Sequence, residues 1–152
     1  MKISFFSADI QNTLLGKVAL REWIHRSVHN EGLHLVDINI IQCSNDYLLK
    51  INKQFLNHDY FTDVITFPYG QDENGVSGEI YISVEQAQIQ AENYCHHLQK
   101  ELQLLVIHGV MHLCGYSDKT PKQKKIMRQK ELQYMNTRPM KLLAVSRETH
   151  GK

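Results

Sequence analysis

The stretch L-Q-K-E-L-Q-L-L-V-I-H-G-V-M-H-L-C-G-Y-S-D, residues 98–118, decides how this chain is read. It is apolar on most sides through Leu113, which predicts a helix buried centrally in the fold. His108 and His112 stand four apart on it. A helix turns every 3.6 residues with a rise of about 1.5 Å per residue, so both imidazoles leave one face about a turn apart. So placed, they can share one Zn²⁺ at about 2.0–2.1 Å. Gly115 can adopt the left-handed conformation that stops a helix, letting the chain double back and deliver Asp118 as a third ligand. Three protein ligands with a corner left for water is the pattern of a reactive site rather than a structural one.

A histidine pair at this spacing is weak evidence alone, and the chain carries its own control. His25 and His29 are also four apart, within E-W-I-H-R-S-V-H-N-E, but lack a glycine turn and a placed third ligand. They read as a polar helix face. Two histidines on a mostly apolar helix, by contrast, need partners for their ring nitrogens, and a metal supplies one. The skeleton matches the protease pattern H-E-x-x-H-x-x-G-x-x-H with aspartate last, but the general-base glutamate is replaced by Gly109. Without that base the peptidase reading weakens. A metal that activates water and stabilises charge on a phosphoryl oxygen leaves phosphodiester hydrolysis as the better fit.

Outward from this helix, Lys2–Phe6 reads as a short strand, and apolar residues from Leu14 to about Asn30 recur at helical intervals. Leu33–Cys43 alternates and is rich in Val and Ile, as a strand should be. Ser44 is placed to cap a helix running to about Phe55. Asp63–Phe67 and Glu79–Ser83 are further strands, joined by a glycine-rich loop, 68–78, as a wide hairpin. Ser83 and Gln86 resemble a capping box opening a helical region to about His97. Thr120, Pro121 and Gln123 cap a last helix ending near Asn136, and 138–152 is expected to fray as a tail. The expectation is one α+β domain over 1–152: a small mixed sheet of about four strands, about five helices, and a metalloprotease-like metal helix.

With 42% hydrophobic and 22% charged residues, the composition is that of an ordinary globular domain. No continuous apolar run exceeds four residues, as at Leu104–Ile107, against about 17 needed to span a bilayer. No secretory core follows Lys2, and three widely spaced cysteines offer no disulfide framework, so a cytoplasmic location is expected. Cys114 is rotated off the His108/His112 face and reads as a packing thiol. The net charge of +1 hides a division: residues 1–118 carry 7 Lys/Arg against 14 Asp/Glu, and 119–152 carry 10 against 2. The basic segment is either a footprint for a polyanion beside the metal or a solvated helix face with a basic tail.

Three collinear motifs, H-G-V-M-H-L-C-G-Y at 108–116, T-D-V-I-T-F at 62–67 and G-E-I-Y-I-S at 78–83, give the chain a resemblance to the YbeY endoribonucleases, in order and spacing over most of 1–138. The resemblance implies an α+β fold, a zinc-like metal, and cleavage of single-stranded RNA in small-subunit ribosomal RNA 3′-end maturation and ribosome quality control. It puts two metal histidines on His108 and His112. Where many members have a third histidine this chain has Asp118, and where many carry an arginine six residues before the T-D-V threonine it has Leu56, so phosphate contact is expected either through His58 or more weakly.

The expected site is therefore one Zn²⁺, or another divalent first-row metal, on His108, His112 and Asp118, with metal-activated water attacking RNA. Asp63 and Glu79 are candidates for orienting a ligand histidine, or else a turn cap and a solvent-facing strand residue. Thr62, Thr66 and Ser83 are pocket or cap positions. Lys119, Lys122, Lys125 and Arg128 are candidate phosphate contacts. The competing readings are a ribosome-assembly factor with a mainly structural metal, which Leu56 favours, and a metalloprotease, which Gly109 disfavours.

Overall fold

A computed structural model describes residues 2–58, 62–70 and 73–149. Among these, a four-stranded mixed sheet has the order β1 (Lys2–Ser7), β2 (His34–Cys43), β4 (Gly75–Ser83), β3 (Val64–Pro68). The β1/β2 and β2/β4 pairs are parallel and β3 lies antiparallel on β4. The hairpin between β3 and β4 is tighter than the sequence suggests. Residues 75–78, read as loop because of their glycines, extend β4, and Gly75 lies in register with His34 of β2.

Side chains alternate between the two faces of a strand. Ile80 and Ile82 of β4 therefore join Ile38 and Ile40 of β2 in the main core, beneath Trp23 and Ile24 of α1 (Lys17–Asn30) and Leu102, Val106 and Val110 of α4 (Leu98–Leu113). Tyr81 belongs to the opposite face, where Leu48 and Ile51 of α2 (Asn45–Leu56) pack with Ile65. The buried metal-bearing helix expected from 98–113 is this α4, and it lies directly on the sheet. Gly109 makes the approach that close: a Cβ there would stand 2.6 Å from Cγ2 of Ile80.

Helix ends follow local chemistry. Ser44 Oγ accepts from Tyr47 N–H at the start of α2. Ser83 Oγ accepts from Gln86 N–H at the start of α3 (Val84–Asn93), while the Gln86 side chain turns to Gln90, so only half of the expected box forms. Thr120 and Gln123 form the full reciprocal box that opens α5 (Pro121–Met135). The helical region expected to run through His97 breaks after Asn93, where Cys95 takes a φ of 56°, and His97 Nδ1 accepts from Gln99 N–H to start α4 afresh. α1 begins at Lys17 rather than near Leu14. The Gln42 side-chain carbonyl accepts from the Thr13 and Leu14 amides, and Gln99 accepts from Leu15, so distant side chains hold that segment out of a helix.

The C-terminal segment does not fray over its described part. A sixth helix, α6 (Met140–Val145), buries Leu142 and Leu143, and Gln103 Nε2 donates to Leu142 O at 3.1 Å. The Arg138 guanidinium forms two bonds to the Glu148 carboxylate, 2.6 and 2.8 Å long. Burial would raise the Glu148 carboxyl, but bonds from Arg138 and Ser146 and the charges of Arg138 and Lys100 hold it down at about 2. A group depressed from 4.5 stabilises the fold above 4.5 and loses that contribution as pH falls towards 2. Glu148→Gln is accordingly expected to lower the melting temperature at pH 7 and to have little effect near pH 2. An equal loss at both pH values would contradict the ion pair's role.

Candidate metal centre

His108 and His112 project from the last two turns of α4, and the chain then reverses as anticipated. Gly115 takes a φ of 110°, the Gly115 amide donates to His112 O, and the Tyr116 amide reaches back to Met111 O at 3.1 Å. This 6→1 closure satisfies the helix-end carbonyls. It also brings Asp118 back to the histidines. The two Nε2 atoms are 3.0 Å apart, and each lies 3.4 Å from Asp118 Oδ2. A tetrahedral ion with bonds of about 2.0–2.1 Å separates its ligand atoms by roughly 3.3–3.4 Å, so the three donors already stand at nearly that spacing. Among the described residues, this is the group of three side chains placed so that they could hold a metal ion.

The other ring nitrogens fix the tautomers. His112 Nδ1–H donates to Tyr116 O at 2.9 Å, and His108 Nδ1–H donates to the Glu131 carboxylate. Each neutral ring is left with an unshared pair on Nε2, and with the two 3.0 Å apart a shared cation, a metal ion or a proton, relieves their repulsion. The donor set thus fits a divalent first-row metal. The protein surroundings treat the two rings differently. Burial opposes the charged form of His108, but the bond and charge of Glu131, with Asp118 and Asp63, raise its pKa. Burial and then the His108 charge lower that of His112.

Glu131 was not singled out from sequence. It lies on α5, 23 residues from His108, and is one of only two acids in the basic segment 119–152, the other being Glu148. An isolated acid in such a helix was the available signal. The Tyr116 loop has a comparable anchor. Glu31, its side chain 8% exposed, accepts from Tyr116 at 2.6 Å, Lys130 at 3.0 Å and the Tyr134 hydroxyl. Burial alone would raise the Glu31 carboxyl, yet these donors hold it below its ordinary value.

A cleft of about 280 Å³ opens on the three ligands and is walled by Leu56, His58, Thr62, Asp63 and Thr66. The end of α2 positions two of these. Asn57 adopts a left-handed φ of 57°, and the His58 amide closes on Asn52 O at 3.0 Å. Asp63 is held at the cleft by its carbonyl, which accepts from Ser83 N–H at 2.9 Å. Glu79 lies elsewhere: it shares the Tyr81 face of β4, opposite α4, and its carboxylate accepts from Tyr69 and Tyr81. It does not touch either histidine ring. Ser83 serves as a helix cap. Cys114 ends α4 partly buried, its thiol pushed up to about 12 by burial and the Glu31 charge, in keeping with a packing role. Lys119, Lys122, Lys125 and Arg128 are all exposed, and the last three, with Glu131, follow one another at intervals of three along α5.

A wider groove of about 580 Å³ is lined by Arg21, His25 and His29 on α1 and by Ile3 and Leu35. No group of three potential metal ligands forms there among the described residues, so the smaller cleft is the stronger candidate site.

The family model for endoribonuclease YbeY matches residues 6–138. The chain belongs to the YbeY endoribonuclease family. It is 43% identical to the endoribonuclease YbeY of Amoebophilus asiaticus over 88% of this chain and 90% of that one. With that of Cytophaga hutchinsonii it shares 38% identity over 85% and 90%. A Thermotoga maritima protein solved in solution superposes with a TM-score of 0.68 at 29% identity, covering 99% of both chains. The α+β fold with its mixed four-stranded sheet is thus a YbeY fold.

Proposed function

We propose that this YbeY-family chain is a metal-dependent endoribonuclease in which His108, His112 and Asp118 hold one divalent ion, zinc fitting the donor set best, with single-stranded ribosomal RNA of the small subunit as its substrate in 3′-end maturation and quality control. The observation that carries this reading is the convergence of three ligand atoms at tetrahedral spacing on the wall of an open cleft. Metal identity rests on the donors alone, since two imidazoles and a carboxylate also suit other first-row ions. No helix of the described residues is long and apolar enough to cross a membrane. The chain's free, widely spaced cysteines suit a reducing cytoplasm.

The chemistry a divalent ion supplies when bound is Lewis acidity, which stabilises charge developing on a phosphoryl oxygen and makes water a stronger nucleophile at neutral pH. The chain's own residues orient that chemistry. Tyr116 O and Glu131 hold both Nδ1–H groups, so both Nε2 pairs face one point; Glu131 also makes His108 the more basic ligand. Asp63, Thr62 and His58 face the cleft where the RNA backbone would enter, and Leu56 supplies no charge there. Phosphate neutralisation falls instead to Lys119, Lys122, Lys125 and Arg128. Three donors among the described residues, set in the wall of an open cleft, favour this reactive site over a closed structural metal.

Binding through these cations carries a salt signature. Each neutralised phosphate contributes roughly −0.7 to the slope of log K against log salt for single strands. The triple variant Lys122→Gln, Lys125→Gln, Arg128→Gln is expected to flatten that slope by about 2 in RNA-binding titrations. A slope unchanged from wild type would place the RNA on another surface.

A further inference from the structure

Beside the metal cleft lies a second hollow of about 230 Å³, and the two share His108 and Asp63 as a common wall. Its chemistry differs from that of the cleft. Glu101 and Glu131 join Asp63 in lining it, Leu104 gives it apolar surface, and among the described residues no lysine or arginine lines it. Three carboxylates repel phosphate. They accept hydrogen bonds well, however, and Glu101, 1% exposed, retains unused lone pairs beyond those engaged by His96 at 2.6 Å and Gln90 at 2.7 Å. At the hollow's margin stands Tyr94, an aromatic side chain that is 67% exposed although it ends a helix packed on the core. Its ring lies 5.9 Å from that of His96. Aromatic rings of this kind are stacking platforms for unpaired bases, and carboxylates recognise the exocyclic amino groups of bases.

We propose that this hollow is a nucleobase subsite: it receives the base of a nucleotide flanking the scissile phosphate, stacked on Tyr94 with an amino-bearing edge towards the carboxylates. The proposal rests on the endoribonuclease reading, because His108 places the hollow one wall away from the ligands that would act on the phosphate. The shared His108–Asp63 wall sets the hollow beside the cleft and so names the occupant as the same RNA. The absence of lining cations selects its base rather than its backbone. Adenine, cytosine or guanine is favoured over uracil, which has no exocyclic amino group.

The test uses short single-stranded RNAs with one cleavage site, in which an abasic residue or each of the four bases is placed in turn on either side. With wild type, one flanking position should lose about tenfold in kcat/KM when abasic, and a smaller factor when uracil, the scale of one base stacked on an aromatic ring. Tyr94→Ala should show the same loss on the intact RNA and no further loss on the abasic one, while Tyr94→Phe keeps wild-type rates. Tyr94 is exposed, so these variants keep the fold, and a melting curve checks it. Unchanged rates for Tyr94→Ala on every substrate, or a loss that persists undiminished on the abasic RNA, would overturn the subsite while leaving the nuclease reading intact. Wild type that cleaves none of the RNAs would instead overturn the nuclease reading and the subsite with it.

Discussion

His112→Ala is expected to lower RNA cleavage by about 10³-fold or more and to strip the bound metal, with the fold retained. The size follows from what is removed. Lewis-acid stabilisation is worth several kcal/mol, and each 1.4 kcal/mol is a factor of about ten in rate. Two donors, His108 and Asp118, would remain of the three that converge. His112 is only partly buried on the last turn of α4, so truncation opens the site to water without carving a cavity in the core. Metal content by elemental analysis and a single-turnover cleavage assay check both halves. Undiminished cleavage by the metal-poor variant would contradict the account.

Gly109 carries the largest expected effect on stability. The protease pattern would place its catalytic glutamate here, but the position faces the sheet rather than the cleft. A Cβ would meet Ile80 Cγ2 at 2.6 Å and Cδ1 at 3.2 Å, and Ile80 is fully buried with a stiff branched side chain. Gly→Ala inside a helix ordinarily gains up to about 1 kcal/mol, whereas overpacking a core costs about 1–3 kcal/mol. Gly109→Ala should therefore be net destabilising, by about 1 kcal/mol, lowering the melting temperature by about 2–4 °C. Gly109→Glu adds a buried charge without a partner and should fail to fold. A stable, folded Gly109→Glu protein would show that α4 can lift from β4, and would reopen the peptidase reading.

The turn that gathers His108, His112 and Asp118 was legible because its determinants are local. Helical spacing places two histidines, and a glycine with positive φ returns Asp118 within six residues of His112. The caps at Ser44 and Thr120 are local too. What stayed hidden depends on contacts across the chain. Glu131 reaches His108 only once α5 packs on α4, and Glu31 anchors Tyr116 from 85 residues away. α6 is too short to announce itself by periodicity; it forms because Leu142 is buried and Gln103 and Glu148 hold its ends. Conversely, Glu79 sits in one of the motifs that carry the family resemblance, yet strand alternation puts its side chain on the far face of the sheet with Tyr81. A sequence motif marks a segment, and only the register tells which of its residues face the site.

Titrating chelator-stripped protein with Zn²⁺ while following cleavage of a single-stranded RNA decides whether one divalent ion on His108, His112 and Asp118 drives the reaction. Activity rising from near zero to a plateau at one ion per chain is the predicted result; full cleavage by the stripped protein, with no response to added metal, would contradict it.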